Sequence, residues 1–235
     1  MNGQTVVVIG GSAGIGLSTA KLARAAGAAV ILTGRNPERL ERAAAEVGAT
    51  RTAAFDASDR EAMAGFLADL GQVDHVMSTA GGPYYAPLAE LDIDAAARSL
   101  DSHLWLAIHV AQRAVGVVRG SLTFIGGTGG RRPGPGLAII TAMSAALPAL
   151  IANLALEIAP IRVNLIAPGF VDTPLSAALL GDQLDARRAQ LRDTLPIGRV
   201  VGPDDVAALA IHLMTNSALT GATYDVDGGQ QLLKT

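Results

Sequence analysis

The sequence of 235 residues contains no cysteine, and only 3% of its residues are aromatic. Without cysteine there is no disulfide framework and no thiol nucleophile, and we expect no metal site. The net charge of −3 comes from scattered residues of both signs, so there is no basic patch of the kind that binds nucleic acid. The N-terminus enters a strand-like run without a basic region or cleavage site. We therefore expect no signal peptide and a cytoplasmic protein.

Charge is also missing from residues 134–156, a run long enough to span a bilayer. Pro148, Asn153 and two hydroxyl side chains interrupt this run, and Glu157 follows it directly. A buried core helix explains the run better than a membrane span, so we expect no membrane partner. The predicted helices 136–159 and 93–118 are candidate subunit contacts.

Short β-branched runs alternate with alanine-rich helical stretches along the whole chain. This alternation predicts an α/β, Rossmann-type, doubly wound parallel sheet of about seven strands with helices on both faces. Residues 1–235 are predicted to form one domain, with a helical flap at about 172–200. The predicted strands are 5–9, 28–33, 51–55, 73–78, 121–125, 161–166 and 223–226. The predicted helices are 15–26, 37–47, 59–70, 93–118, 136–159 and 203–214.

A glycine-rich turn, V-V-V-I-G-G-S-A-G-I-G-L at residues 6–17, follows the first predicted strand and opens the first helix. Gly10 permits a tight turn, Gly14 lets the backbone approach a pyrophosphate, and Gly16 lets helix and strand pack closely. The helix N-terminus offers free N–H groups to phosphates. The turn therefore predicts nucleotide binding by Gly10, Ser12, Ala13, Gly14, Ile15 and Gly16; the alternative is a turn without a ligand.

The spacing G-x-x-x-G-x-G and several later motifs resemble the short-chain dehydrogenase/reductase family over nearly the whole chain. The later motifs are F-D-A-S-D, S-T-A-G-G at residues 78–82, I-R-V-N-L-I-A-P-G-F-V-D-T-P at 161–174, and T-G-A-T-Y-D-V-D-G-G at 220–229. The resemblance implies a nicotinamide cofactor and a dimer or tetramer. It also implies further cofactor contacts from Asp56, Ala57, Thr79, Ala80, Gly81, Pro168, Gly169, Val171 and Thr173.

Cofactor choice is expected at the end of the second strand, in the segment L-T-G-R-N. An NAD-selective site has a carboxylate there to bind the ribose hydroxyls. This chain has Gly34, followed by Arg35 and Asn36, and a guanidinium can pair with a 2′-phosphate. We therefore favour NADP(H), with NAD(H) possible. The alternative is that Arg35 begins a loop and points into solvent.

The resemblance implies hydride transfer assisted by a serine, a tyrosine and a lysine four residues after the tyrosine. This sequence has Gly127, Ile140 and Ser144 at those three positions, and His103 where the family has a helical asparagine. The usual proton relay is therefore expected to be absent. Ser144 can still hydrogen-bond the cofactor ribose.

Several residues are candidate replacements for the missing proton relay. His103 titrates near neutrality and is a candidate proton donor; alternatively it is a structural core histidine. Tyr84 and Tyr85 are candidate substrate contacts or donors, or they pack the loop. Thr128 is a candidate for the serine role, or it forms a turn.

Two arginines, Arg131 and Arg132, are candidate ligands for a substrate carboxylate or phosphate, although a solvated surface pair is the stronger interpretation. Trp105 is expected in the core or a subunit contact. The leading hypothesis is an NADP(H)-dependent oxidoreductase with an atypical active site, acting on a small carbonyl, imine or activated alkene. The rival hypothesis is a non-catalytic NADP(H)-binding sensor or partner subunit of the same fold.

Overall fold

The computed structural model describes residues 1–233, and its centre is a sheet of seven parallel strands in the order β3-β2-β1-β4-β5-β6-β7. The order reverses direction between β1 and β4, as in a doubly wound fold. This confirms the predicted fold class. The strands are β1 Thr5–Ile9, β2 Ala29–Gly34, β3 Arg51–Ala54, β4 Val73–Ser78, β5 Val118–Ile125, β6 Arg162–Pro168 and β7 Thr223–Val226.

Helices cover both faces of the sheet because β1, β2, β4, β5 and β6 place apolar side chains in the clusters on both sides. One core cluster lies beneath α3, α5 and α6, and the other beneath α1, α2 and α9. The helices are α1 Gly14–Ala25, α2 Pro37–Val47, α3 Arg60–Ala68, α4 Ile93–Leu100, α5 Leu106–Ala114, α6 Ala138–Glu157, α7 Pro174–Leu180, α8 Leu184–Thr194 and α9 Pro203–Thr215.

The predicted helix 93–118 is wrong as a single helix. It consists of α4, a π-helical turn at Asp101–Trp105, and α5, which ends at Ala114. Gly116 then adopts a positive φ of 82°, a conformation that does not continue a helix, and β5 begins at Val118, three residues before the predicted start. A π-helical turn inside an α-helical segment is often found at a functional site.

Residues 172–200, the predicted flap, contain α7 and α8. Val171 and Val201 pair in a short parallel bridge at its two ends. Arg188 on α8 donates two hydrogen bonds to Asp172, of 2.9 Å from Nε and 2.8 Å from Nη2. The two ends of the flap are therefore paired with each other, and α8 is linked to the first residue of the flap.

Helix α6 is the apolar stretch of the sequence, and among residues 1–233 it alone is long and apolar enough to cross a membrane. One face contributes Met143, Leu147, Ile151 and Leu154 to the core. The opposite face is exposed, with Leu156 79% accessible. Core contacts thus account for one face of the helix, and its other face lies on the surface of the chain.

Candidate functional site

A cavity of about 1950 Å³ opens at the carboxyl ends of the strands, beside the point where the strand order reverses. Ligands of open α/β sheets bind in this position. The cavity reaches from the glycine-rich turn, past the carboxyl ends of β2 and β4, to the flap. All the residues named as cofactor contacts in the sequence line it except Asn36.

The glycine-rich turn leads into α1, whose first turn has no side-chain cap and no acidic residue. Its N-terminal N–H groups are therefore available to an anion. Gly14 has a φ of 52° and faces the side chain of Thr173, since a Cβ atom on Gly14 would lie 3.4 Å from it. Thr173 also caps α7, through a reciprocal pair of hydrogen bonds with Ser176.

Thr79 joins this turn to the end of β4. Its hydroxyl lies 3.2 Å from the Ile9 carbonyl and 3.1 Å from the Gly10 carbonyl. A Cβ atom on Gly16 would come within 2.4 Å of the Gly10 carbonyl oxygen, so only glycine fits there without a shift. These contacts hold the floor of the cavity in one shape and leave backbone, rather than side chains, facing the ligand.

The end of β2 places Gly34 directly beneath Ser12, whose hydroxyl would lie 2.9 Å from a Cβ atom at position 34. Arg35 is largely exposed and stands 3.9 Å from Asp56. Hydrogen bonds from the Ser58 N–H and hydroxyl hold the pKa of Asp56 below its usual value. This end of the cavity therefore contains the cation Arg35 and the ionised carboxylate of Asp56.

Two residues here differ from the sequence interpretation. Asn36 does not line the cavity; its side chain accepts a hydrogen bond of 2.8 Å from the Arg39 N–H and caps α2. Arg39, not singled out from the sequence, does line it. The signal for Arg39 was its place in the first turn of α2, just after the Gly34–Arg35 segment.

The other end of the cavity contains the positions at which the resemblance implies a serine, a tyrosine and a lysine. Gly127, Ile140 and Ser144 all line it. Ser144 is 5% exposed, and its Oγ has no hydrogen-bond partner within residues 1–233. A Cβ atom on Gly127 would lie 3.7 Å from that oxygen. These three residues bring no ionisable group to the cavity.

His103 lies on the π-helical turn, and its ring lines the cavity. The Nδ1 atom is 2.8 Å from the Ser99 carbonyl oxygen, which can only accept, so Nδ1 carries the proton. Burial lowers the pKa of His103 from its usual value. In the neutral ring Nε2 is therefore a hydrogen-bond acceptor, and it faces Gly81, where a Cβ atom would lie 3.1 Å away.

The remaining catalytic candidates also line the cavity but differ in their surroundings. The Tyr84 hydroxyl accepts a hydrogen bond of 2.9 Å from the Asp92 N–H and keeps its own proton available. Tyr85 is 51% exposed at the cavity mouth. Thr128 is 5% exposed and belongs to the short turn after β5.

The two neighbouring arginines after β5, Arg131 and Arg132, differ in whether they line the cavity. Arg131 donates two hydrogen bonds to Asp225 and does not line the cavity. Arg132 lines the cavity, as does Arg187 from α8, which was not identified from the sequence. Trp105 is 51% exposed at the rim and is therefore not a core residue, while the alternative of a subunit contact stays a prediction; the Arg60 guanidinium lies 5.8 Å from its ring centroid.

The fold, the uncapped helix N-terminus and the crevice at the strand reversal define a dinucleotide-binding protein of the Rossmann class. The family model described as enoyl-(acyl carrier protein) reductase matches residues 10–231. A short-chain dehydrogenase/reductase of Stachybotrys chlorohalonatus is 32% identical, with 97% of each chain covered. A 4-formylbenzenesulfonate dehydrogenase of Comamonas testosteroni is 33% identical, with 99% of each chain covered.

A solved small-chain dehydrogenase in complex with NADPH superposes with a TM-score of 0.84 at 28% identity, covering 98% of this chain and 99% of that chain. The chain belongs to the short-chain dehydrogenase/reductase family of oxidoreductases. The resemblance seen in the sequence motifs is thus confirmed at the level of the family and the fold.

Proposed function

We propose that this protein is an NADP(H)-dependent oxidoreductase whose active site lacks the family's usual proton relay. The proposal depends on the difference between the two ends of one cavity. Its nucleotide end has a glycine-rich turn and a free helix N-terminus, whereas Gly127, Ile140 and Ser144 contribute no acid. Its substrate is a small carbonyl, imine or activated alkene.

The residues fit a dinucleotide. The first N–H groups of α1 would hold the pyrophosphate, and the unpartnered Ser144 hydroxyl would hydrogen-bond the ribose beside the nicotinamide. A bound nicotinamide cofactor supplies or accepts a hydride. The loop Pro168–Thr173 would lie along the ring and exclude water on that side.

A preference for the 2′-phosphorylated cofactor follows from charge. Arg35 and Arg39 line the adenosine end, and Gly34 puts no carboxylate at the end of β2, so Asp56 is the one carboxylate named at this end and it lies beside Arg35. Hydrogen bonds to a charged partner contribute about 1.5–3 kcal/mol each, or roughly ten- to a hundredfold in affinity. The solved relative in complex with NADPH supports the same preference.

His103 is placed to accept a proton rather than to donate one, because its Nδ1–H is committed to Ser99 and burial keeps the ring neutral. It would take a proton from a substrate hydroxyl or orient a water molecule. In the reductive direction, Tyr84 or Thr128 would protonate the product, or the electrophile would need little protic help. An iminium is such an electrophile. The carbonyl alternative has support of another kind, since the Comamonas testosteroni relative is named for an aldehyde.

The first test is a fluorescence titration with NADPH and with NADH. NADPH is expected to bind more tightly, and Arg35→Ala with Arg39→Ala is expected to remove the difference. Arg42→Ala is a matched control, since Arg42 lies on the same helix, is exposed and does not line the cavity. Failure of both nucleotides to bind would reject the proposed function.

Turnover is tested next, by oxidation of NADPH with aldehydes, cyclic imines and enones, and by reduction of NADP⁺ with alcohols. His103→Gln is expected to lower the rate of alcohol oxidation by about a hundredfold or more and to leave NADPH affinity unchanged. Tight cofactor binding without turnover on any class would favour the rival function, a non-catalytic NADP(H) sensor or partner subunit. The missing tyrosine and lysine are the observation that favours this rival.

We also propose that the protein forms a homodimer or homotetramer. The exposed face of α6 is apolar, and Ile93 and Leu156 are 74% and 79% accessible. Light scattering coupled to size-exclusion chromatography is expected to give a mass of two or four chains. Leu156→Glu is expected to reduce that mass, and a single-chain mass for the unaltered protein would reject the proposal.

A further inference from the structure

Two arginines from separate elements line the cavity near its flap. Arg132 follows the short turn after β5, and Arg187 lies on α8. Both side chains are only partly exposed. The contribution of Arg187 could not be read from the sequence, because 55 residues separate it from Arg132.

The neighbouring arginines of these two segments are neutralised, but this pair is not. Arg131 pairs with Asp225, and Arg188 pairs with Asp172. Within residues 1–233, no carboxylate oxygen lies within 4.0 Å of the guanidinium of Arg132 or Arg187.

The guanidinium of Arg187 interacts with two neutral side chains, which leave its positive charge unbalanced. Its Nη1 donates to Gln190 Oε1 at 2.7 Å, and the guanidinium lies 5.9 Å from the Phe170 ring centroid. Burial and the charge of Arg132 both lower the pKa of Arg187. Two like charges that share a partly dry cavity repel each other, and an anion between them would relieve both.

We propose that Arg132 and Arg187 form a subsite for an oxyanion carried by the substrate, so that the substrate class is a small apolar or aromatic molecule with a terminal carboxylate or a similar group. This inference rests on the proposed function and specifies its substrate. The apolar body would lie against the hydrophobic wall between the subsite and Ser144. The apolar residues that line the cavity include Leu137, Ile140, Leu175 and Leu179.

The subsite would orient the substrate as well as bind it. A guanidinium pairs with a carboxylate through two parallel hydrogen bonds, which fixes direction. With the anion held at the flap, the opposite end of a small molecule points toward Ser144 and His103. Because the arginines come from the flap and from the loop after β5, a bound anion would also connect these two segments.

The test is isothermal titration calorimetry of the protein saturated with NADP⁺, using benzoate and its neutral isostere benzamide as probes. Benzoate is expected to bind at least about tenfold more tightly than benzamide, and less tightly as salt is added. Arg132→Met and Arg187→Met are each expected to weaken benzoate by about tenfold and to leave benzamide and NADP⁺ unchanged. Methionine keeps an apolar stem in place of the charge.

Arg192→Met is the matched control, since Arg192 lies on the same helix as Arg187, is exposed and does not line the cavity. Equal affinity for the two probes, no binding of either, or benzoate affinity unaffected by both substitutions would overturn the subsite. Weaker NADP⁺ binding in the variants would also overturn it, by assigning the arginines to cofactor phosphates. If NADP⁺ does not bind at all, the proposed function fails, and the benzoate titration without cofactor still tests the arginine pair.

Discussion

The buried histidine of β4 gives a prediction about stability that follows directly from its surroundings. His75 is 2% exposed, and its Nδ1 lies 2.8 Å from the hydroxyl of Ser121, which is fully buried. Its Nε2 is buried and has no partner within residues 1–233. Burial, aided by the charge of Arg162 and opposed by that of Asp74, lowers the pKa of His75 to about 4.

A histidine whose pKa is lower in the folded state than in the unfolded chain destabilises the fold as the pH falls. The unfolded chain binds the proton from about pH 6.5 downward, whereas the folded chain resists it until about pH 4. The free energy of unfolding is therefore highest above about pH 6.5, as far as this histidine is concerned, and it declines between about pH 6.5 and pH 4. Integration over these two values gives a loss of about 2 kcal/mol between about pH 8 and pH 5.

The perturbation is His75→Gln, which keeps a polar side chain near Ser121 and removes the titration. Urea unfolding is measured for both proteins at several values between about pH 8 and pH 5, above the range in which carboxylates protonate. The substitution is expected to lower stability at neutral pH and to flatten its decline toward acid. His212→Gln, which removes an exposed histidine, is the matched control. Equal slopes for the unaltered protein and His75→Gln would refute the reasoning.

Three further substitutions probe the cavity. Gly16→Ala brings a Cβ atom within 2.4 Å of the Gly10 carbonyl, so thermal unfolding should show a loss of about 1–3 kcal/mol and fluorescence a loss of NADPH binding. Ser144→Ala removes a buried hydroxyl without a partner, so stability without cofactor should hold or rise while NADPH affinity falls; unchanged affinity would contradict the ribose contact. Tyr84→Phe removes the acceptor of the Asp92 N–H and should cost about 1 kcal/mol in urea unfolding.

The central strands were predictable because strands buried on both faces are continuous apolar runs rich in β-branched residues, as in β1, β2 and β6. Each of the seven was found within three residues of its predicted start. The largest error concerns residues 93–118, whose composition is typical of one continuous α-helix although the backbone changes to a π-helical turn in the middle and leaves the helix after Ala114. Neither the π-helical turn at Asp101–Trp105 nor the positive φ of Gly116 leaves a periodic signal in the sequence.

The candidate site was predictable where backbone motifs form it and less so where tertiary packing brings side chains together. The spacing of the glycines predicts directly that the turn follows β1 and binds a nucleotide. Arg187 lines the cavity only because the flap folds back over it, and no local motif predicts that fold. Asn36 caps α2 and does not line the cavity, and an asparagine before proline at the start of a helix is typical of that capping role. The tautomer of His103 depends on the Ser99 carbonyl, whose direction the sequence cannot give.

The distribution of charge in the cavity links these observations. Arg35 and Arg39 lie at its nucleotide end, Arg132 and Arg187 lie near its flap, and Ile140 and Ser144 stand between them without charge. A lysine at position 144 without a tyrosine at 140 would be a buried cation with no partner, at a large cost in desolvation. Loss of the two groups together removes that cost. Under the proposed function, this distribution suits a hydride acceptor that is positioned by its own charge and needs little help from an acid.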